Sequence, residues 1–178
     1  MKIHLTAMEN AKSMAEPIDW KAVYDRLLPR VYHYFWYKLG NRFTAEELTA
    51  ITFEKAWANR GKYRPERGEF DYWVYGIARK VAADHFRSRK IEVSLEERPD
   101  LPLSTPLEEE AQARLNTQRL AALLSGLAER ERELISLKYG SELTNREIAR
   151  LTGLSESNVG TILHRVVTRL RQLWEEAP

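Results

Sequence analysis

The sequence predicts an all-α protein of two small helical domains joined by an extended linker. Apolar residues recur at steps of three and four along most of the chain, which is the spacing of one helix face. Pro99, Pro102 and Pro106 interrupt that spacing, and proline disfavours a helix both at its own position and at the residue before it. Near residue 153 a glycine separates two capped helices, the pattern of a helix-turn-helix. The predicted parts are a tail at 1–16, domains at 17–90 and 108–178, and the linker at 91–107.

Composition excludes several classes of protein. Of the 178 residues, 43% are hydrophobic, which is enough to bury a core and excludes a wholly disordered chain. Cysteine is absent, so disulfides, thiol catalysis and thiolate metal sites are excluded. The four histidines form no i, i+4 pair, and there is neither an acid–base pair nor a phosphate-binding glycine motif. We therefore expect a protein that is not an enzyme and needs no metal or cofactor.

The distribution of apolar residues along the chain predicts the cellular location of the protein. No apolar run approaches about 18 residues, so we expect no membrane insertion. Residues 1–16 lack the apolar stretch of a signal peptide. The sequence therefore predicts a soluble, cytoplasmic protein.

Charge is distributed unevenly along the chain. Residues 17–90 carry 15 basic and 9 acidic side chains, whereas residues 91–110 carry one basic and seven acidic ones. The net charge of +2 thus hides a basic first domain and an acidic linker. This asymmetry indicates a polyanionic partner.

Three helices are predicted in the first domain. The first follows an apolar face from Trp20 to Leu39, with a kink or a split at Pro29, and ends at Gly40. A capping box of Thr44 and Glu47 opens the second helix, which ends before a basic loop at 61–69. Its expected buried residues are Leu48, Ile51, Phe53 and Trp57. The third helix is predicted at 70–90.

Four helices are predicted in the second domain, at about 108–125, 128–139, 145–151 and 156–174. Thr144 and Glu147 form a capping box, Gly153 supplies the positive φ of the turn, and Ser155 caps the last helix. The expected buried residues are Ile148, Leu151, Val159, Leu163 and Val166. Small, glycine and capping residues together favour a helix-turn-helix over a generic helical hairpin.

The second helix of such a motif enters the major groove, and its first residues read base edges. Arg165 suits a guanine edge and Asn158 an adenine edge, whereas Arg146 and Arg150 on the preceding helix suit phosphates. The remaining DNA-binding candidates are Ser157, Thr161, His164 and Arg169. For Arg169, a favourable interaction with the helix C-terminus is an equal alternative.

Aromatic and basic residues are interleaved on the third helix and the loop before it. Such a surface can stack unpaired bases while its charges follow the backbone. We expect Phe70 and Trp73 in the core, and Tyr63, Tyr72 and Tyr75 exposed for stacking. The basic candidates are Arg64, Arg79, Lys80, Arg87, Arg89 and Lys90.

Three stretches together resemble the small two-domain bacterial alternative sigma factors known as the extracytoplasmic-function type. They are Ala45-Glu-Glu-Leu-Thr-Ala-Ile-Thr-Phe-Glu-Lys-Ala-Trp57, Phe70-Asp-Tyr-Trp-Val-Tyr-Gly-Ile-Ala-Arg79 with Asp84, and Leu127-Ala-Glu-Arg-Glu-Arg-Glu-Leu-Ile-Ser-Leu-Lys-Tyr139 before the helix-turn-helix. The resemblance covers about residues 17–174.

The resemblance implies a partner for each part. The first domain would contact the clamp of core RNA polymerase through Glu46, Glu47, Leu48 and Ile51, and bind the upstream and melted parts of the minus-ten promoter element through 61–90. The second would bind the double-stranded minus-thirty-five element through its last helix. Anti-sigma proteins are common in this family, so one is a candidate partner. A stand-alone helix-turn-helix regulator is the alternative function, and a helical interaction module explains the turn chemistry less well.

The sequence departs from the family pattern at several of these positions. Ala50 and Ile51 stand where a glutamine and an acidic residue are usual, and Lys80 stands for asparagine. Gly160 and Ile162 replace basic residues of the last helix. These changes predict altered clamp, minus-ten and minus-thirty-five contacts.

Overall fold

The computed structural model describes residues 18–91 and 108–176, and this part of the chain is helical. The first domain contains α1 (Trp20–Leu39), α2 (Arg42–Ala58) and α3 (Phe70–Ile91). Two single 3-10 turns, Arg60–Lys62 and Pro65–Arg67, connect α2 to α3. The second domain contains α4 (Glu108–Ser125), α5 (Glu129–Ile135), α6 (Asn145–Thr152) and α7 (Glu156–Glu176). In the described ranges no helix has the length and apolar character needed to cross a membrane.

Helix α1 is continuous through Pro29, so the split allowed by the sequence does not occur. Proline removes one amide donor and leaves the carbonyl four residues earlier without its helical partner. Both Pro29 and Asp25 are exposed, so water can satisfy that carbonyl. The helix ends as predicted at Gly40, whose φ is 68° and whose N–H donates to the Trp36 carbonyl.

The start of α2 corrects the sequence prediction. Asn41, and not Thr44, is the N-cap, and its side-chain oxygen accepts from the Thr44 amide at 3.0 Å. Asparagine is as good an N-cap as any residue, and the helix begins at Arg42, three residues before the start at Ala45 that a Thr44 cap implies. The capping box predicted at Thr44 and Glu47 is therefore wrong.

The core is one continuous cluster that spans both domains. Its members from α1, among them Leu27, Val31 and Phe35, pack against α2 and α3 on one side. On the other side α1 contacts α4, α5 and the residues that follow α5. The two helical domains therefore lie against each other, and α1 packs against helices of both.

A π-helical turn at Ser136–Gly140 continues α5 and forms the tightest contact between the domains. Gly140 lies against the backbone of α1, where a Cβ atom would sit 2.8 Å from the His33 carbonyl oxygen and 2.9 Å from the Tyr34 nitrogen. Only glycine allows this approach, because backbone atoms cannot move aside as a flexible side chain can.

Candidate nucleic-acid interface

The helix-turn-helix has the capping geometry that the sequence predicts. The Glu147 amide donates to Thr144 Oγ1 at 3.3 Å, and the Thr144 amide donates to Glu147 Oε2 at 2.7 Å. Gly153 has a φ of 73°, and its N–H donates to the Ala149 carbonyl at 2.9 Å. Ser155 Oγ accepts from the Asn158 amide at 3.2 Å, so α7 begins at a fixed angle to α6.

The predicted reading face of α7 is exposed. It comprises Ser157, Asn158, Thr161, His164, Arg165 and Arg169. Arg146 and Arg150 on α6 are also exposed, as phosphate contacts require. The opposite face of α7 is buried through Val159, Leu163 and Val166, as the periodicity predicts.

Gly160 lies on the side of α7 that faces the start of α6. A Cβ atom at this position would lie 3.4 Å from the side-chain nitrogen of Asn145, the first residue of α6. This is an ordinary contact distance to a side chain that can rotate, so the packing does not explain the missing basic residue at 160.

The sequence interpretation missed the role of Glu131. Its carboxylate accepts from Arg169 at 2.6 Å, and Arg165 Nη2 lies 3.6 Å from its other oxygen. The hydrogen bond from Arg169 outweighs the effect of burial and lowers the pKa of Glu131. Only the packing of α5 against α7 brings these residues together, since they are more than 30 positions apart in sequence.

The aromatic residues at the start of α3 form a cluster. Tyr63 packs edge-on against Phe70 with ring centroids 5.0 Å apart, and lies 5.7 Å from Trp73. Its hydroxyl donates to the Gly68 carbonyl at 3.0 Å. Tyr63 is thus half-buried, and it holds the 61–69 loop against α3.

Three other residues of α3 that the sequence predicts to contact DNA face the second domain. Tyr75 is fully buried, so the expectation that it is exposed is wrong. Tyr72 is half-buried, and its hydroxyl donates to the Arg150 carbonyl at 2.9 Å. The Arg79 side chain donates to the Leu151 carbonyl. Positions 72, 75 and 79 share one helix face, and α6 and its flanking residues cover it.

A buried ionic cluster lies beside this face. Glu133 of α5 accepts from Arg79 Nε at 2.8 Å, from the Tyr34 hydroxyl at 3.1 Å and from the Lys38 ammonium. Burial would raise the pKa of the Glu133 carboxyl, but Lys38 and Arg79 outweigh it and hold the pKa below its ordinary value. The cluster joins both domains, and no local pattern of residues predicts it.

The other basic candidates on this domain are accessible. Arg64, Lys80 and Arg87 are exposed, and Arg87 forms an ion pair with Asp84 at 3.3 Å. The side chains of Arg89 and Lys90 lie outside the described residues.

The polymerase-binding candidates on α2 differ in exposure. Glu46 and Glu47 are exposed, and Ile51 is half-buried. Leu48 is only 4% exposed, so it supports the two carboxylates from beneath and does not present its own side chain to a partner.

The burial expected for Trp57 is wrong, since this residue is 51% exposed. The Arg60 guanidinium lies 4.3 Å from the centroid of its ring, and Trp20 packs edge-on against it at 5.1 Å. The buried residues of α2 are Ala45, Leu48, Thr49, Thr52, Phe53 and Ala56, and Trp57 lies at the edge of the face that they form.

Two family models match the chain in order along the sequence. Sigma-70 region 2 matches residues 23–91, and Sigma-70, region 4 matches residues 117–170. The two matches coincide with the two helical domains.

Several curated proteins are similar to the chain. The extracytoplasmic-function RNA polymerase sigma factor BldN of Streptomyces coelicolor is 30% identical over 154 residues, which cover 85% of this chain and 58% of BldN. The chain thus spans less than two thirds of that relative. SigM of Bacillus subtilis is 25% identical, with 85% of this chain and 93% of SigM covered. SigL of Mycobacterium tuberculosis is 27% identical over 177 residues, which cover 96% and 97% of the two chains.

Solved structures share the fold. The sigma factor RpoE of Bartonella quintana, in complex with the anti-sigma factor NepR, superposes with a TM-score of 0.69 and 22% identity over 90% of this chain and 99% of RpoE. CnrH, in complex with the cytosolic domain of CnrY, gives a TM-score of 0.62 and 22% identity over 88% and 86% of the two chains.

Proposed function

Since the chain belongs to the sigma-70 family, in its extracytoplasmic-function group, we propose that it directs core RNA polymerase to specific promoters and helps to melt them. One observation carries this proposal above the others. The helix-turn-helix, with its exposed reading face, follows a first helical domain that matches sigma-70 region 2. A stand-alone regulator would have no use for that first domain and is not favoured.

The division of work follows the two domains. The second domain binds the minus-thirty-five element through Ser157, Asn158, Thr161, His164 and Arg165, with phosphate contacts from Arg146 and Arg150. The first binds the minus-ten element through α3 and the 61–69 loop, and meets the polymerase clamp through the exposed carboxylates Glu46 and Glu47. Capture of unpaired bases by its aromatic and basic residues offsets part of the cost of unstacking, a few kcal/mol per base.

The packed arrangement is incompatible with simultaneous contact to both elements. Their centres are about 25 base pairs, or about 85 Å, apart along the duplex. A compact chain of this length is only about 40 Å across. In addition, Tyr72, Tyr75 and Arg79 are covered by the second domain. Promoter binding therefore requires the two domains to separate, and the 16 residues between α3 and α4 can span at most about 54 Å.

Each DNA module is small, and we infer that neither binds tightly alone. Held together on polymerase, each raises the effective concentration of the other at the promoter. Core polymerase is therefore the obligatory partner, and the free chain binds promoter DNA poorly.

Run-off transcription with purified core polymerase tests the proposal. Core enzyme plus the chain should give discrete transcripts from genomic templates, whereas core enzyme alone and the chain alone should give none. Sequencing of the transcripts identifies the promoter. Tight, sequence-specific footprints by the chain alone, with no transcripts in the presence of core enzyme, would instead establish the stand-alone regulator.

A further inference from the structure

Glu131 lies between the two arginines of α7 that are one helical turn apart. Its side chain is only 13% exposed, whereas those of Arg165 and Arg169 are 67% and 45% exposed. The carboxylate thus has a fixed place at the base of the reading face, and the arginines extend from it toward solvent.

The two arginines use this carboxylate differently. Arg169 makes a 2.6 Å hydrogen bond, so part of its donor capacity and its charge are engaged within the protein. Arg165 stays 3.6 Å from the other carboxylate oxygen, close enough to be oriented but with its remaining N–H groups free to meet a base edge. Arginine otherwise loses much rotamer freedom when it binds, and prior orientation reduces that loss.

We propose that Glu131 is a positioning residue for promoter reading, which orients Arg165 toward the minus-thirty-five element with Arg169 as a brace. This inference rests on the proposed function. It assigns a role to an acidic residue outside the reading helix, and it moves Arg169 from the DNA-binding candidates to the support of its neighbour.

The proposal has a consequence that a purely structural ion pair would not have. A carboxylate near DNA repels phosphates, so its removal should strengthen binding to any sequence. The same removal leaves Arg165 disordered, so binding to the correct base should weaken. The two effects have opposite signs. Affinity for the cognate promoter should therefore fall relative to affinity for promoters with a substituted minus-thirty-five element.

The test uses the holoenzyme and the promoter mapped from its transcripts. Competition binding measures the ratio of affinity for that promoter to affinity for versions substituted in the minus-thirty-five element. Glu131→Gln should lower this ratio by about two- to fivefold, the range that exposed ion pairs contribute. Affinity for the substituted elements should be unchanged or higher, and the slope of log affinity against log salt should steepen by up to about one.

Matched variants separate the explanations. Glu129→Gln makes the same change of charge at an exposed position two residues earlier, and should leave the ratio unchanged. In an Arg165→Ala background, Glu131→Gln should have no further effect on the ratio. Arg169→Gln, which keeps Glu131 intact, should also lower the ratio, whereas a phosphate contact at Arg169 would make affinity fall equally for every sequence.

Three results would overturn the inference. The first is an equal affinity ratio in Glu131→Gln and Glu129→Gln. The second is a further fall of the ratio when Glu131→Gln is added to Arg165→Ala. The third is a loss of affinity in Glu131→Gln that is the same for every promoter sequence and comes with a lower melting temperature. Failure of the wild-type holoenzyme to select any promoter would instead remove the proposed function, and this inference with it. A wild-type holoenzyme that selects promoters, with an unchanged ratio in Glu131→Gln, overturns the inference alone.

Discussion

The Glu133 carboxylate on α5 accepts a hydrogen bond from Arg79 Nε on α3 at 2.8 Å and thereby joins the two domains. The Lys38 ammonium and the Tyr34 hydroxyl bind the same carboxylate. Arg79 is a predicted contact to the minus-ten element, so its side chain binds either Glu133 in the packed form of the chain or the promoter DNA. Opening of the domains and exposure of this arginine are therefore one event.

Glu133→Gln should open the chain. The neutral amide leaves the buried Lys38 charge and the partly exposed Arg79 charge without a counter-ion, and breaking a buried ion pair costs about 3–5 kcal/mol when the charges cannot escape. Here they can escape, because separation of the domains returns both to water. We therefore expect a shift toward the open form with little loss of helix.

Energy transfer between dyes on the two domains measures this shift. The chain contains no cysteine, so Glu54→Cys and Arg171→Cys introduce unique labels at exposed positions of α2 and α7. Transfer should fall in Glu133→Gln and stay at the wild-type level in Glu129→Gln. Equal transfer in all three proteins would mean that the cluster does not hold the domains together.

A low pH should separate the two domains, as Glu133→Gln does. The pKa of Glu133 lies below its ordinary value of 4.5 in the packed form. Its contribution to packing is therefore complete above pH 4.5 and is lost as the pH falls through the lowered pKa. Energy transfer should fall over this range in the wild type. In Glu133→Gln this step should be missing, and circular dichroism should show that the helices persist; an identical acid transition in both proteins contradicts the assignment.

Gly140→Ala should separate the domains by steric means. The new Cβ atom would meet the α1 backbone at 2.8 Å, and overpacking of this kind costs about 1–3 kcal/mol. Gly76→Ala is the control, since a Cβ atom at this exposed position of α3 meets nothing within 4 Å. That control should raise helix stability by about 0.5–1 kcal/mol and leave energy transfer unchanged. Packing retained in Gly140→Ala would show that the turn can move away from α1.

Tyr72→Phe should weaken packing without impairing promoter opening. It removes the hydroxyl that donates to the Arg150 carbonyl at 2.9 Å but keeps the ring for stacking on a base. Tyr72→Ala removes both and should impair strand opening more than closed-complex binding. Permanganate reactivity of unpaired thymines in the holoenzyme complex distinguishes the two variants. Wild-type opening by Tyr72→Ala would exclude a stacking role.

Arg165→Ala should reduce discrimination at one base pair of the minus-thirty-five element. A bidentate contact from arginine to a guanine edge contributes about 1–3 kcal/mol of discrimination. Competition between the mapped promoter and single-base substitutions shows which position loses selectivity. Arg171→Ala, on the last turns of α7, is the control for loss of one positive charge. Unaltered selectivity at every position would place Arg165 outside the base contacts.

The local structure of the chain was predictable where short-range chemistry decides it. The turn between α6 and α7 follows from Thr144, Gly153 and Ser155, whose preferences act within a few residues and leave few other conformations. At α2 two local signals competed, and Asn41, three residues before Thr44, is the N-cap because asparagine caps at least as well as threonine. At Trp57 the predicted face of α2 was displaced, because the buried face runs through Ala45, Leu48, Thr52 and Ala56 and leaves Trp57 at its edge.

From the sequence alone come the all-α class, the helix-turn-helix and the exposed reading face of α7, because helical period and caps are properties of neighbouring residues. Tertiary structure alone decided that Tyr75 is buried, that Glu133 gathers cations from the other domain, and that Glu131 meets Arg165. These contacts join residues far apart in sequence, and the helical period does not show which distant residue a charged side chain will pair with. The burial of Tyr75 and the cluster at Glu133 depend on the contact between the two domains, and the missing Cβ atom of Gly140 lets the turn after α5 approach the backbone of α1.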